Sequence, residues 1–196
     1  MSTLSKPRVT RKHKTTKLYT KNTYRKAFRH LMEDFDNRCA YSMVHVKEVA
    51  GSAMDVDHHD PRKKRLSPYE NLFPAIRVCN GFKGDTWPTP DQEAKGIRFL
   101  NPCQEVDYGQ QIFEEPETGL LVGTTPAARY HIDMLDLNHD TLVTHRRDRT
   151  ILRAFFNTPA IAATRSPSDE STLATLGREA LDILKRKIEY IPPPPA

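Results

Sequence analysis

Apolar residues recur at helical spacing at Tyr24, Phe28, Leu31, Met32 and Phe35, which predicts a helix over residues 20–36. Two short extended segments follow, over residues 44–49 and 53–57, joined near Gly51 and Ser52. Residues 63–68 read as a basic loop. Residues 71–83 carry Leu72, Ile76 and Cys79 on one side, the pattern of a short helix that Gly84 can end. Further on, residues 110–115 and 120–124 flank the turn-forming stretch 116–119 and predict a hairpin. Helices are expected over residues 127–137 and 140–156. Ser166, Pro167 and Asp169 form a capping signal for a last helix to about residue 188, with Leu173, Leu176, Leu181, Leu184 and Ile188 as one stripe. The prolines from Pro192 to Pro195 make a short tail. The fold class expected is α+β.

At 196 residues, 37% hydrophobic and 28% charged, the chain can build one domain with a modest core. No apolar run approaches about 18 residues, so no membrane span is expected. No apolar segment follows the first basic residues, which argues against a secretory signal. Cys39, Cys79 and Cys103 are an odd set without a disulfide pattern and suit a reducing cytoplasm.

The net charge of +5 conceals an asymmetry. Ten Lys and Arg residues, from Lys6 to Arg29, precede the first acid, Glu33, so that stretch carries +10 and the rest −5. Such a block wraps phosphates or stays solvated. Residues 1–19 are expected to be a basic, flexible arm. An organelle-targeting segment is the competing reading, though no amphipathic stripe accompanies the charge.

Between Asp55 and Asp85 lie DVDHHDP and ENLFPAIRVCNGFKGD, which bring Asp57, His58, Asn71 and Asn80 into a short order. Hydrolysis of a phosphodiester needs an activated water, charge stabilisation on the phosphate and help for the leaving oxygen. Asp57 and Asn80 offer hard oxygen donors for Mg²⁺ or Mn²⁺. A neutral His58 can take a proton from water. Asn71, both donor and acceptor, can tie down the long loop that follows His58. Each residue also has an ordinary reading. Asp57, His58 and His59 could be a polar strand end, Asn71 a helix N-cap, Asn80 a helix-surface amide. The run Arg62, Lys63, Lys64 and Arg65 could contact phosphate or be a solvated face. Asp60, Lys83 and Asp85 could assist the site or decorate a loop and a helix end.

This order resembles the HNH nuclease motif in its variant ending in Asn, over roughly residues 38–86. Asp57-His58 with Pro61, Glu70-Asn71-Leu72, Cys79-Asn80 and Lys83-Gly84-Asp85 carry it. It is similar to the HNH domain of the CRISPR effector nucleases. The resemblance implies a ββα-metal core with an N-terminal helix and C-terminal helices, and metal-dependent cleavage of DNA leaving a 5′-phosphate and a 3′-hydroxyl. The core would span residues 20–125, the helical C-terminal region 126–190 and the tail 191–196. In colicin-like relatives a His-His pair supplies a ligand and then the base, so His59 is the alternative to His58. Many relatives brace the finger with two zinc-binding C-x-x-C pairs. Here the pairs read Cys39-Ala-Tyr-Ser42 and Ile76-Arg-Val-Cys79, so no structural zinc is expected, and Cys39 and Cys79 should face one another.

A looser similarity is to the HNH subunit of Septu-type anti-phage systems, through residues 98–105, 130–138 and 146–149. It implies an ATPase partner docked on the C-terminal helices. An RNA-cleaving toxin and a nucleic-acid-binding module without catalysis are the alternative functions. No membrane partner is expected.

Overall fold

The computed structural model describes residues 6–49 and 54–156. The expected last helix and proline tail lie outside them. The described chain is α+β: three two-stranded antiparallel sheets and five α-helices, with 3-10 turns between them. No helix among the described residues is long and apolar enough to cross a membrane.

The arm enters the body instead of hanging from it. Arg8 pairs with the buried Asp107, Nε to Oδ1 at 2.8 Å, and donates to the carbonyl of Ala40 at 2.5 Å. The guanidinium of Arg11 lies 4.8–5.4 Å from the rings of Phe35, Tyr69 and Phe73 and donates to the carbonyl of Leu72 at 2.8 Å. Buried Asp34 accepts the backbone N–H groups of Lys12 and His13 and the hydroxyl of Tyr69, at 2.8–3.0 Å. For residues 6–19 this replaces the expected flexible arm. Buried carboxylates need partners, and these cations and amides supply them.

Strand β1 (Leu18–Tyr19) ends the arm and turns at Thr20, whose N–H donates to Thr23 Oγ1 at 2.9 Å. A 3-10 turn over Tyr24–Ala27 leads into α1 (Phe28–Asp34). The expected long helix is shorter at both ends. The threonine turn delays its start, and Asp36 and Asn37, at φ 49° and 60°, leave helical geometry at its end.

Residues 44–49 are a 3-10 turn, Val46–Glu48, and not a strand: the His45 ring accepts the N–H of Lys47 at 3.1 Å and caps the turn. The central hairpin pairs β2 (Met54–His58) with a strand further along. A 3-10 turn, Pro61–Lys63, opens the intervening loop, and β3 (Ser67–Pro68) pairs with β1 before β4 (Leu72–Ile76). In β2–β4, Asp57 stands opposite Phe73 and His58 opposite Leu72.

The helix expected over residues 71–83 is therefore half strand. Leu-Phe-Pro-Ala-Ile is buried throughout, so no alternation betrays the strand. Pro74 costs no ladder bond. Its neighbours in the outward N–H row, Leu72 and Ile76, donate to the carbonyl of Tyr69 and to Cys39 Sγ. The carbonyl of Pro74 accepts the N–H of Ala40 at 2.7 Å. Helix α2 (Arg77–Lys83) then begins, and Gly84, at φ 50°, closes it through an N–H bond to the carbonyl of Asn80.

Helix α3 (Pro90–Ala94) was not expected, although Thr89-Pro-Asp-Gln92 spells the capping box that starts it. The later hairpin is β5 (Ile112–Glu114) with β6 (Leu121–Gly123). Helix α4 (Pro126–Met134) is shorter than expected and gives way to Leu135 and Asp136, the latter at φ 45°; α5 (Asp140–Phe156) begins at the expected residue and runs to the last described one.

A large core joins α1, β4, α2, α4 and the 39–44 segment. A second, smaller cluster of Tyr19, Ala27, Leu31, Val56, Tyr69 and Leu72 holds the arm against the hairpin.

Candidate active site

The last residues of β2 and the first turns after β4 set the geometry. Successive strand side chains point to opposite faces, so Asp57 and His58 part company at the strand end. The Asp57 carboxylate turns inward, and each of its oxygens lies 3.1 Å from the Lys83 ammonium. Tyr41 donates its hydroxyl to Asp57 Oδ2, and the Asp57 charge in turn helps hold the Tyr41 hydroxyl protonated, after burial itself. Lys83, fully buried at the end of α2, also donates to the carbonyl of His58 at 2.9 Å. Burial lowers the pKa of Lys83, and Asp57 opposes that shift.

His58 faces Tyr24, the ring centroids 4.7 Å apart and the planes tilted by 53°. Its Nε2 is buried and takes no hydrogen bond from the described residues. Burial lowers its pKa from the ordinary histidine value, the charges of Lys64 and Lys83 add to that, and Asp57 opposes them. The imidazole is thus neutral at pH 7, with one nitrogen available as a proton acceptor.

A cleft of about 760 Å³ opens in front of this group. Asp57, His58 and Asn80 line it, together with Lys64, Arg65 and Asp85 and with Thr20, Lys21 and Tyr24. Lys64 and Asp85 are ion-paired at its rim. Among the described residues the Asn80 side-chain amide takes no hydrogen bond, while its carbonyl closes α2.

The other expected site residues face elsewhere. His59 packs on Phe73 at 4.9 Å and edge-on to Trp87 at 5.7 Å; burial, with the charges of Lys83 and His131, pushes its pKa down to about 3. It lines a second hollow of about 410 Å³, with Asp60, Arg62, Lys63 and Asn71. Of the two histidines, His58 alone lines the first cleft. The basic run divides in the same way: Lys64 and Arg65 go with His58, Arg62 and Lys63 with His59.

Asp60 accepts the N–H of Arg62 at 3.0 Å and its Nε at 2.9 Å, and is kept ionised by these bonds against the cost of burial. The Arg62 guanidinium in turn lies 4.8 Å over Trp87. Asn71 spans the loop. Its Oδ1 accepts the N–H of Asp60 at 2.8 Å, its Nδ2 donates to the carbonyl of Asp60 and to Ser67 Oγ, both at 3.0 Å, and its carbonyl accepts the N–H of His59.

Cys39 and Cys79 meet in the core. Cys39 Sγ accepts the N–H groups of Ser42 and Ile76 at 3.4 and 3.5 Å, and the hydrogen bond between the thiols, with burial, pushes the pKa of Cys79 well up. Among the described residues no group of three or more His, Cys, Asp or Glu side chains is arranged to hold a metal ion. The cleft's carboxylates are Asp57 and Asp85, the latter paired with Lys64, and its amides are Asn22 and Asn80; Asp57 and Asn80 are the pair that the sequence singles out as ligands. That set fits a hard cation such as Mg²⁺, which keeps several waters and takes one or two protein oxygens, provided Lys83 shares Asp57 with it.

Two residues of the site carried no signal as such in the sequence. Tyr24 read as a core position of the first helix, and Tyr41 as the interior of a broken cysteine pair. The partnership of Lys83 with Asp57 depends on the hairpin. His131 is buried, and its Nδ1 accepts the N–H of Leu100 at 3.1 Å.

Comparison with protein-family models, with curated proteins and with solved structures finds no match for this chain.

Proposed function

We propose that the chain is a metal-dependent endonuclease of the HNH type that hydrolyses phosphodiester bonds of DNA. One observation carries the reading. Among the described residues, a neutral imidazole whose Nε2 has no hydrogen-bond partner, a carboxylate and an amide line one cleft together with basic side chains. A surface that only held nucleic acid would not need a buried proton acceptor.

In this reading His58 Nε2 takes the proton of the attacking water, a contribution of about 10²–10⁴-fold. Tyr24 fixes the ring, and the His58 carbonyl is held by Lys83. Asp57 and Asn80 would hold Mg²⁺ or Mn²⁺, which supplies charge stabilisation to the phosphate and the leaving oxygen. Lys64, Arg65 and Lys21 draw the backbone into the cleft. Asn71 keeps the loop at the fixed length that brings Lys64 and Arg65 to the rim.

Incubating supercoiled plasmid with the chain and Mg²⁺ or Mn²⁺, beside His58→Ala and Asn80→Ala, tests the proposal. Nicking by the wild type that both variants lose by about 10²-fold or more is expected. Full nicking by His58→Ala would refute the assignment of the base. Single-stranded DNA and total RNA in the same series separate a DNA enzyme from a toxin acting on RNA. The anti-phage setting and the ATPase partner are proposed from the resemblance, and co-purification with an ATPase encoded beside the chain tests them.

A further inference from the structure

The Lys83 ammonium is fully buried and has three protons to place. The His58 carbonyl, at 2.9 Å, takes one, and the others face the Asp57 carboxylate, both of whose oxygens are 3.1 Å away. Tyr41 adds a neutral donor to the same carboxylate. The Asp57 charge is therefore already balanced, by a cation that belongs to the chain. A buried carboxylate without such a partner would be costly, so Lys83 accounts for the burial of Asp57 at 4% exposure.

A second cation on Asp57 would enter beside this ammonium. Two like charges at about 4 Å repel strongly even in the screened surroundings of a protein surface. Asn80 brings no compensating charge, and Asp85 is engaged with Lys64. We infer that Lys83 is a resident cation that competes with the divalent metal for Asp57, so that the free chain binds metal weakly. The phosphate of a bound nucleic acid would offset the surplus positive charge, so metal and polynucleotide bind cooperatively, each raising the affinity of the other. This deepens the reading above and rests on Asp57 as a metal ligand.

The experiment is a calorimetric titration of Mn²⁺ into the full chain without nucleic acid, for the wild type, Lys83→Met, Lys83→Arg and Asp57→Asn. Lys83→Met keeps the length of the side chain and removes its charge. It should bind Mn²⁺ about tenfold more tightly or better, by the size of the repulsion removed. Lys83→Arg should not gain, and Asp57→Asn should lose binding. Unchanged or weaker binding by Lys83→Met, with binding still lost in Asp57→Asn, overturns the competition and leaves the metal site standing. Wild-type binding by Asp57→Asn overturns both. A measurement on the native chain covers the case in which Lys83→Met does not fold. With labelled lysine, the Lys83 side-chain resonance should move as Mg²⁺ is added to the wild type and stay fixed in Asp57→Asn. A resonance that Mg²⁺ leaves in place in the wild type overturns the proposal.

Discussion

The ring of Tyr24 lies 4.7 Å from that of His58, and so a residue of the N-terminal segment stands at the site of the central hairpin. The 3-10 turn that carries Tyr24 is held by the threonine turn before it and by Ala27 in the smaller core cluster. Tyr24 lets His58 keep one orientation without any hydrogen bond to Nε2. In Tyr24→Ala the imidazole is released, and the nicking rate constant should fall about fivefold with KM little changed, the rate equivalent of an aromatic contact worth about 1 kcal/mol. Tyr24→Phe should restore most of it. Single-turnover nicking at saturating DNA is the measurement, and an unaltered rate in Tyr24→Ala would remove Tyr24 from the site.

Asn71 illustrates a residue whose role is tension across a loop. Three side-chain hydrogen bonds of 2.8–3.0 Å converge on it, and their partners, the backbone of Asp60 and Ser67 Oγ, lie in a buried setting. Asn71→Ala leaves these groups unpaired and should destabilise the fold by about 2–4 kcal/mol. Asn71→Asp should be almost as costly, because it can accept from Asp60 but cannot donate. Urea denaturation of the three proteins reads the effect as a lower midpoint.

What could be read from the chain, and what could not, divides along a physical line. Asp57, His58 and Asn80 stand out in the sequence because their chemistry is local to the residue type and their order is short, and the structure brings all three to one cleft. The later hairpin was legible because Pro116 and Gly119 mark its turn. Residues 72–76 were misread because a strand buried on both faces has no alternation to display. The buried Lys83 goes against the ordinary preference of lysine for the surface, and only the hairpin, which places Asp57 beneath the end of α2, explains it. The docked arm was hidden for a similar reason. Its charges look solvated until Asp34 comes to meet Arg11 and Asp107, 99 residues away, comes to meet Arg8.

That docking makes the arm part of the fold. Arg8→Ala would leave Asp107, at 1% exposure, without its ion pair, and breaking a buried pair costs about 3–5 kcal/mol. Arg8→Ala with Asp107→Asn should recover part of the loss, since no charge is then stranded. Chemical denaturation of the single and double variants tests this. A free tether for nucleic acid would instead give a wild-type midpoint in Arg8→Ala and weaker DNA binding.

His131 sets an acid limit on stability. Burial, with the charge of Arg8 next, pushes its pKa down to about 3, and its Nδ1 lone pair is already taken by the N–H of Leu100. In the unfolded chain the imidazole titrates near 6.5. Above that value both states are neutral, and the folded state keeps its full stability. As pH falls from 6.5 towards 3 the unfolded chain binds a proton that the folded chain refuses, so stability declines by up to about 1.4 kcal/mol per pH unit from this group. Below about 3 the folded state also takes the proton, and the contribution levels off. His131→Gln can still accept from Leu100 and does not titrate, so its stability should fall less steeply over the same range. Urea midpoints measured from pH 7 to pH 4 give the two slopes, and equal slopes would show that His131 does not set the limit.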